Sequence, residues 1–124
     1  PERTLLDPLA TYESDANARE LTEKLLREHA DLAGLYVSGG GIAGAIAALR
    51  DLDLRHQVLL VGHDVLPSTR SGLLDGRLAL VIAHPYQAIA QAAIQVALRA
   101  REQGLEAAGP RVNVPFNLVT RENI

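Results

Sequence analysis

Apolar positions along this chain follow two rhythms. Some stretches are continuous apolar runs of about five residues, and others place apolar residues three and four apart. Thr4-Leu5-Leu6-Asp7-Pro8-Leu9-Ala10 reads as a short strand and its exit, with Pro8 ending the pairing or confining it to an edge. Ser14 and Asp15 are N-cap residue types, and Ala18, Leu21, Leu25 and Leu26 then mark one face of a helix to about Glu28. Glu20–Lys24 and Glu23–Arg27 are i,i+4 pairs on its wet face. A second strand covers 33–37. Val37-Ser38-Gly39-Gly40-Gly41-Ile42-Ala43-Gly44 turns it into a helix in which Ile42, Ala45, Ile46 and Leu49 share a face, to about Asp51. The run Gln57-Val58-Leu59-Leu60-Val61 predicts a parallel strand covered on both faces, ending in Gly62-His63-Asp64. A short helix from about Ser68 closes at Asp75-Gly76, where glycine suits a left-handed C-cap. Residues 78–83 form the next strand, and Pro85 suits the first position of a helix that runs to about Gln103. That helix has a narrow polar stripe of Gln87, Gln91, Gln95 and Arg99. Gly104 and Gly109-Pro110 end it, and residues 112–119 alternate as a last edge strand.

The resulting order, β-α-β-α-β-α-β-α-β, predicts an α/β fold: a three-layer α/β/α arrangement with a mainly parallel sheet and right-handed crossovers. In such sheets ligands bind beyond the carboxyl ends of the strands. The candidate site residues follow from that rule. Tyr12 follows the first strand, Ser38, Gly39 and Gly40 the second, Asp64 the third and His84 the fourth.

Each candidate has two readings. Gly39-x-Gly41-x-x-Gly44 fits a dinucleotide fingerprint that follows a strand and opens a helix, and Asp64 lies twenty residues beyond Gly44. The same glycines also serve close packing of a helix. Asp64 at a strand tip can accept two hydrogen bonds from vicinal hydroxyls, or it can cap the following turn. His84 is a ligand contact or an N-cap, and Tyr12 a stacking surface or a cover for the core. Ser38 is not in a nucleophile elbow, because its neighbours do not form G-x-S-x-G. His29, His56 and His63 show no metal-ligand spacing, so no metal and no cofactor is expected.

Composition narrows the classes further. The 124 residues suffice for one small domain, and 48% apolar with 22% charged residues is ordinary for a globular protein. A net charge of −3 with acids and bases interleaved leaves no basic patch for nucleic acid or an anionic membrane. No apolar run approaches the roughly 20 residues that span a bilayer. The absence of Cys rules out disulfides and thiolate chemistry. The chain begins at Pro1 and has no Met, so we expect a piece of a longer protein.

Several segments, in order, resemble one family. Leu32-Ala33-Gly34-Leu35-Tyr36-Val37-Ser38-Gly39-Gly40 and the alanine-rich helix after it resemble the strand, polar dipeptide and helix of type I periplasmic binding proteins and LacI/GalR-type regulators. Val58-Leu59-Leu60-Val61-Gly62-His63-Asp64 resembles the family's strand ending in Gly-Phe-Asp. Residues 72–85 resemble its strand before Gln-Pro, and Pro115 to Asn123 resembles a regulator's tail. The resemblance implies part of a type I periplasmic-binding-protein-like fold. Asp64 then matches a sugar-hydroxyl acceptor, His84 a position that is usually Gln, and Gly39 one that is usually Asn. It implies that 1–84 and 112–124 belong to the C-terminal lobe, and 85–111 to a helix that packs on the other lobe. The function it implies is effector binding, of a sugar or polyol, by a LacI-family transcription regulator. That regulator would be cytoplasmic, non-enzymatic and homo-oligomeric, and would touch DNA only through a head outside this chain. The alternative is a periplasmic solute-binding protein of a transporter; a Rossmann-type nucleotide-binding enzyme is a third reading.

Overall fold

A computed structural model describes residues 4–52, 57–104, 106, 109 and 111–124. His56 and Pro110, which enter the sequence reading, lie outside the described residues. Among the described residues four helices and four strands alternate: α1 (Asp15–Glu28), β1 (Gly34–Tyr36), α2 (Ile42–Asp51), β2 (Leu59–His63), α3 (Pro67–Leu74), β3 (Leu80–Ala83), α4 (Tyr86–Gln103) and β4 (Asn117–Val119). The sheet has the order β1-β2-β3-β4, with β1–β2 and β2–β3 parallel and β3–β4 antiparallel. This is the alternating α/β fold with a mainly parallel sheet that the hydrophobic pattern predicts.

Local chemistry sets the ends of the elements. Ser14 caps α1, its hydroxyl accepting from the Asn17 amide at 3.3 Å. Gly76 follows the Asp75 C-cap of α3 with φ +77°, the left-handed geometry expected there. The Glu23–Arg27 pair forms at 3.8 Å, whereas Lys24 reaches Glu28 at 4.0 Å in place of Glu20.

The core lies on one face of the sheet. Ile42, Ala45, Ile46 and Leu49 of α2 meet Leu60 of β2, Val81 of β3, Leu73 of α3, and Val58 and Leu78 just before β2 and β3. The pleat turns alternate residues the other way, so Leu60 is fully buried while Leu59 is 53% exposed. Two expectations therefore change. Among the described residues, β2 is well covered on one face and not on both. Residues 4–10 form no strand: Pro8 withholds a donor, and Leu5 is 96% exposed and Leu9 45%, so only Leu6 is half-buried. The last strand is shorter than expected, with only Asn117–Val119 of the 112–119 stretch pairing, at the sheet edge as predicted. Helix α4 buries none of its residues, and Ile89, Ile94 and Leu98 are exposed.

Candidate functional site

Three parallel strands ending side by side build a cleft of about 610 Å³ at their carboxyl ends. Ser38, Gly39 and Gly40 enter it after β1, His63 and Asp64 at the end of β2, and His84 after β3. The start of α1 adds Glu13 and Asp15, and the start of α3 adds Ser68. Five of the six sequence candidates thus share one edge. Tyr12 does not line the cleft and is 84% exposed in a left-handed turn.

Register explains how the side chains meet. Tyr36 pairs with Val61, and His63 with Ile82. Residues two apart share a face, so Tyr36, His63 and His84 project from the same face of neighbouring strands. The His63 and His84 rings stack at 5.0 Å and 10°, and Tyr36 lies tilted on His63 at 5.6 Å. The Tyr36 hydroxyl and His63 Nε2 are 2.7 Å apart, and His63 Nδ1 is buried without a partner among the described residues. Tyr86, on the first turn of α4, closes the row, its ring 6.1 Å from that of His84.

Asp64 anchors this row. Its backbone is left-handed at φ 63°, unusual for a residue with a Cβ. Thr69, fully buried in α3, holds the turn: its hydroxyl donates to the Asp64 carbonyl at 2.7 Å and accepts from the Leu66 amide at 2.7 Å. Asp64 Oδ1 accepts from the His84 amide at 3.2 Å and lies 2.8 Å from His84 Nδ1, and Oδ2 accepts from the Tyr86 hydroxyl. Partial burial pushes the Asp64 carboxyl up, but the bonds from Tyr86 and His84 outweigh it and hold it below the usual aspartate value. The bond to Asp64 correspondingly raises the Tyr86 hydroxyl, with desolvation and the aspartate charge adding to it.

These contacts change the chemistry that Asp64 can offer. A carboxylate has about four acceptor positions, and three are taken by His84 and Tyr86. The sequence reading expected two hydroxyls on Asp64. In this arrangement one position on Oδ2 is open, and a second opens only if Tyr86 swings away. With Nδ1 directed at Asp64, His84 Nε2 is the ring atom available to a ligand hydroxyl, and it has no partner among the described residues.

The glycine turn has a structural role that the fingerprint obscured. A Cβ on Gly44 would run into the Asp15 carbonyl oxygen and lie 2.7 Å from the Asp15 carbonyl carbon and 2.9 Å from the Arg19 nitrogen, so Gly44 lets α1 pack directly on α2. Gly41 has φ +93°, and a Cβ there would come within 2.7 Å of Ala18 Cβ. Gly40 donates its amide to Glu13 Oε2 at 2.6 Å, and Gly44 to Asp15 Oδ1 at 3.4 Å. The place where a dinucleotide's pyrophosphate would approach α2 is thus occupied by the start of α1 and by the carboxylates of Glu13, which precedes it, and Asp15. Glu13, Tyr36 and Tyr86 were not read as site residues. Tyr36 was legible, since period-2 parity puts it beside His63; Glu13 and Tyr86 depend on how separate elements meet. Among the described residues no group of three or more His, Cys, Asp or Glu side chains could hold a metal ion, and no helix is long and apolar enough to cross a membrane.

This architecture is that of a periplasmic-binding-protein-like domain. The family model described as "Periplasmic binding protein domain" matches residues 1–105, and the chain belongs to that family. A search of curated protein sequences finds no match. Among solved structures, the chain is similar to GanP, a glucose-galactose binding protein from Geobacillus stearothermophilus, with TM-score 0.74 and 18% identity over 92% of this chain and 40% of that one. It is also similar to AraP, an arabinose binding protein from the same organism, with TM-score 0.67 and 20% identity over 90% of this chain and 41% of that one. A third is an ABC transporter solute binding protein from Burkholderia graminis C4D1M in complex with D-arabinose, with TM-score 0.68 and 24% identity over 91% and 40%. The chain spans about two fifths of the length of these proteins.

Proposed function

We propose that this chain is the sugar-binding portion of a solute-binding protein that delivers a small polyhydroxylated molecule to a transporter. The observation that carries the binding role is the row Tyr36–His63–His84–Tyr86 arranged around the Asp64 carboxylate at the carboxyl edge of the sheet. Sugars present apolar ring faces and directional hydroxyls, and such a row offers flat rings beside a charged acceptor. In this reading Ser38, Gly39, Gly40, Asp64 and His84 line the ligand's place: Asp64 Oδ2 and His84 Nε2 each accept one hydroxyl, and the protein binds without catalysis. The solute-carrier reading is preferred to the effector lobe of a LacI-type regulator because the similar structures are titled as sugar and transporter solute-binding proteins. A periplasmic location belongs to it. The two-lobe assignment also belongs to it, with 1–84 and 112–124 in one lobe and 85–111 directed to the other.

The test is calorimetric titration of neutral pentoses and hexoses into the protein and its Asp64→Ala variant. Removing one charge-assisted bond should weaken binding by about 1.5–3 kcal/mol, roughly ten- to a hundredfold. An unaltered dissociation constant would remove Asp64 from the site.

A further inference from the structure

The cleft carries negative charge without a balancing cation. Glu13, Asp15 and Asp64 line it, and among the described residues no lysine or arginine does. Asp64 is engaged by His84 and Tyr86, but Glu13 and Asp15 face the beginning of α2. A helix start presents unpaired N–H groups and a partial positive charge, which attract phosphate and carboxylate groups. Here Gly41 at the N-cap supplies no capping side chain, and the attracting group is met from within the protein. Asp15 Oδ1 takes the Gly44 amide in the first turn at 3.4 Å, and Glu13 Oε2 takes the Gly40 amide just ahead of the N-cap at 2.6 Å.

Separate features of the chain put Glu13 there. Tyr12 and Glu13 are consecutive residues in left-handed backbone, at φ 53° and 59°, an unfavourable conformation for both. The Thr11 hydroxyl donates to the Gly40 carbonyl at 3.3 Å, tying that turn to the glycine loop. Gly39 and Gly40 lack the Cβ that would run into Glu13. A strained turn and two glycines on a different loop therefore make room for one carboxylate.

We propose that Glu13 is a specificity-determining residue: it takes the Gly40 amide of the loop that leads into the anion-attracting start of α2, beside Asp15, which bonds the first turn, and restricts the cleft to uncharged polyols and sugars, against sugar acids and sugar phosphates. This rests on the reading of the cleft as a sugar site and names which sugars it takes. An anionic ligand near Ser38 and Gly39 would meet the Glu13 carboxylate directly, and to reach the helix start it would have to displace that carboxylate from Gly40.

Inorganic phosphate, D-galacturonate and D-galactose are titrated separately into the protein and into Glu13→Gln, following the amide resonances of Gly40, Gly41 and Ile42. In the parent, phosphate should leave these resonances in place at matched ionic strength. In Glu13→Gln it should move them saturably, and the preference for D-galactose over D-galacturonate should fall at least tenfold. An identical phosphate response in the two proteins, or none in the variant, overturns the proposal. If D-galactose binds neither protein while phosphate binds only the variant, the sugar reading fails and the exclusion of anions by Glu13 is supported. Should Glu13→Gln not fold, the parent decides by acid titration: the Gly40 amide should move together with the Glu13 carboxyl carbon. A Gly40 amide indifferent to Glu13 protonation overturns the contact on which the proposal stands.

Discussion

Replacing Gly44 by alanine tests whether the glycine turn serves packing or a nucleotide. The added Cβ would lie 2.7 Å from the Asp15 carbonyl carbon and 2.9 Å from the Arg19 nitrogen, both backbone atoms of α1. Ordinary carbon contacts need about 3.5–4.0 Å, and the Asp15 carbonyl oxygen lies closer still to the added Cβ, so the two helices must part by more than about an ångström. Parting them loosens Ala18 and Thr22, which are only 2% and 6% exposed. Overpacking costs about 1–3 kcal/mol, and neighbours that are backbone cannot rotate aside, which places this site near the upper end. Alanine's better helix propensity offsets roughly 1 kcal/mol. The net loss is about 2 kcal/mol, a fall in Tm of about 5–10 °C for a chain of this size. Gly76→Ala is the control: φ is +77° but nothing lies within 4 Å, so only the backbone conformation costs, about 1 kcal/mol. Thermal and urea unfolding followed by circular dichroism measure both variants. A Gly44→Ala protein as stable as the parent would refute the close α1–α2 approach and return Gly44 to the fingerprint reading.

Thr69→Val keeps the side chain's shape but leaves the Leu66 amide and the Asp64 carbonyl without their 2.7 Å partner. It should lower unfolding free energy by about 1–3 kcal/mol in urea melts, and an unchanged midpoint would show that water replaces the hydroxyl. Asp64 is held below its ordinary 3.8, so its contribution to stability is present above about pH 4 and lost as pH falls through the depressed folded value. Tyr86 is raised above its ordinary 10.0, so its contribution is present below about pH 10 and lost as pH rises through the raised value. Urea melts across pH should therefore show Asp64→Asn differing from the parent at neutral pH, with the difference shrinking in acid. A constant difference contradicts the bonding of Asp64 described above. Helix α4 exposes Ile94 at 58% and Leu98 at 40%, and apolar surface of this kind favours self-association. Light scattering should detect concentration-dependent dimers that Ile94→Asp weakens, and a monomer at every concentration would contradict this.

The order of the elements was legible because two hydrophobic periods carry it. The continuous runs before Gly62 and His84 and the helical spacing of Ile42, Ala45, Ile46 and Leu49 determine which segments become strands and helices. That order also determined the edge of the site: in a parallel sheet each strand's carboxyl end faces the same way, so Ser38, Asp64 and His84 had to come together. Residues 4–10 read as a strand because local pattern records apolar content and cannot record whether a neighbour exists to pair with. Likewise Gly44 carries the same letter whether a pyrophosphate or another helix approaches it, and only the position of α1 decided between them. The partners of Asp64 were beyond the sequence for the same reason. His84 and Tyr86 lie twenty and twenty-two residues away, and their bonds exist because the β2–β3 register and the first turn of α4 bring them to one carboxylate. Glu13 is the furthest case: its role depends on a left-handed turn, on the approach of α1 to α2 and on two glycines of another loop, none of which has a local period to read.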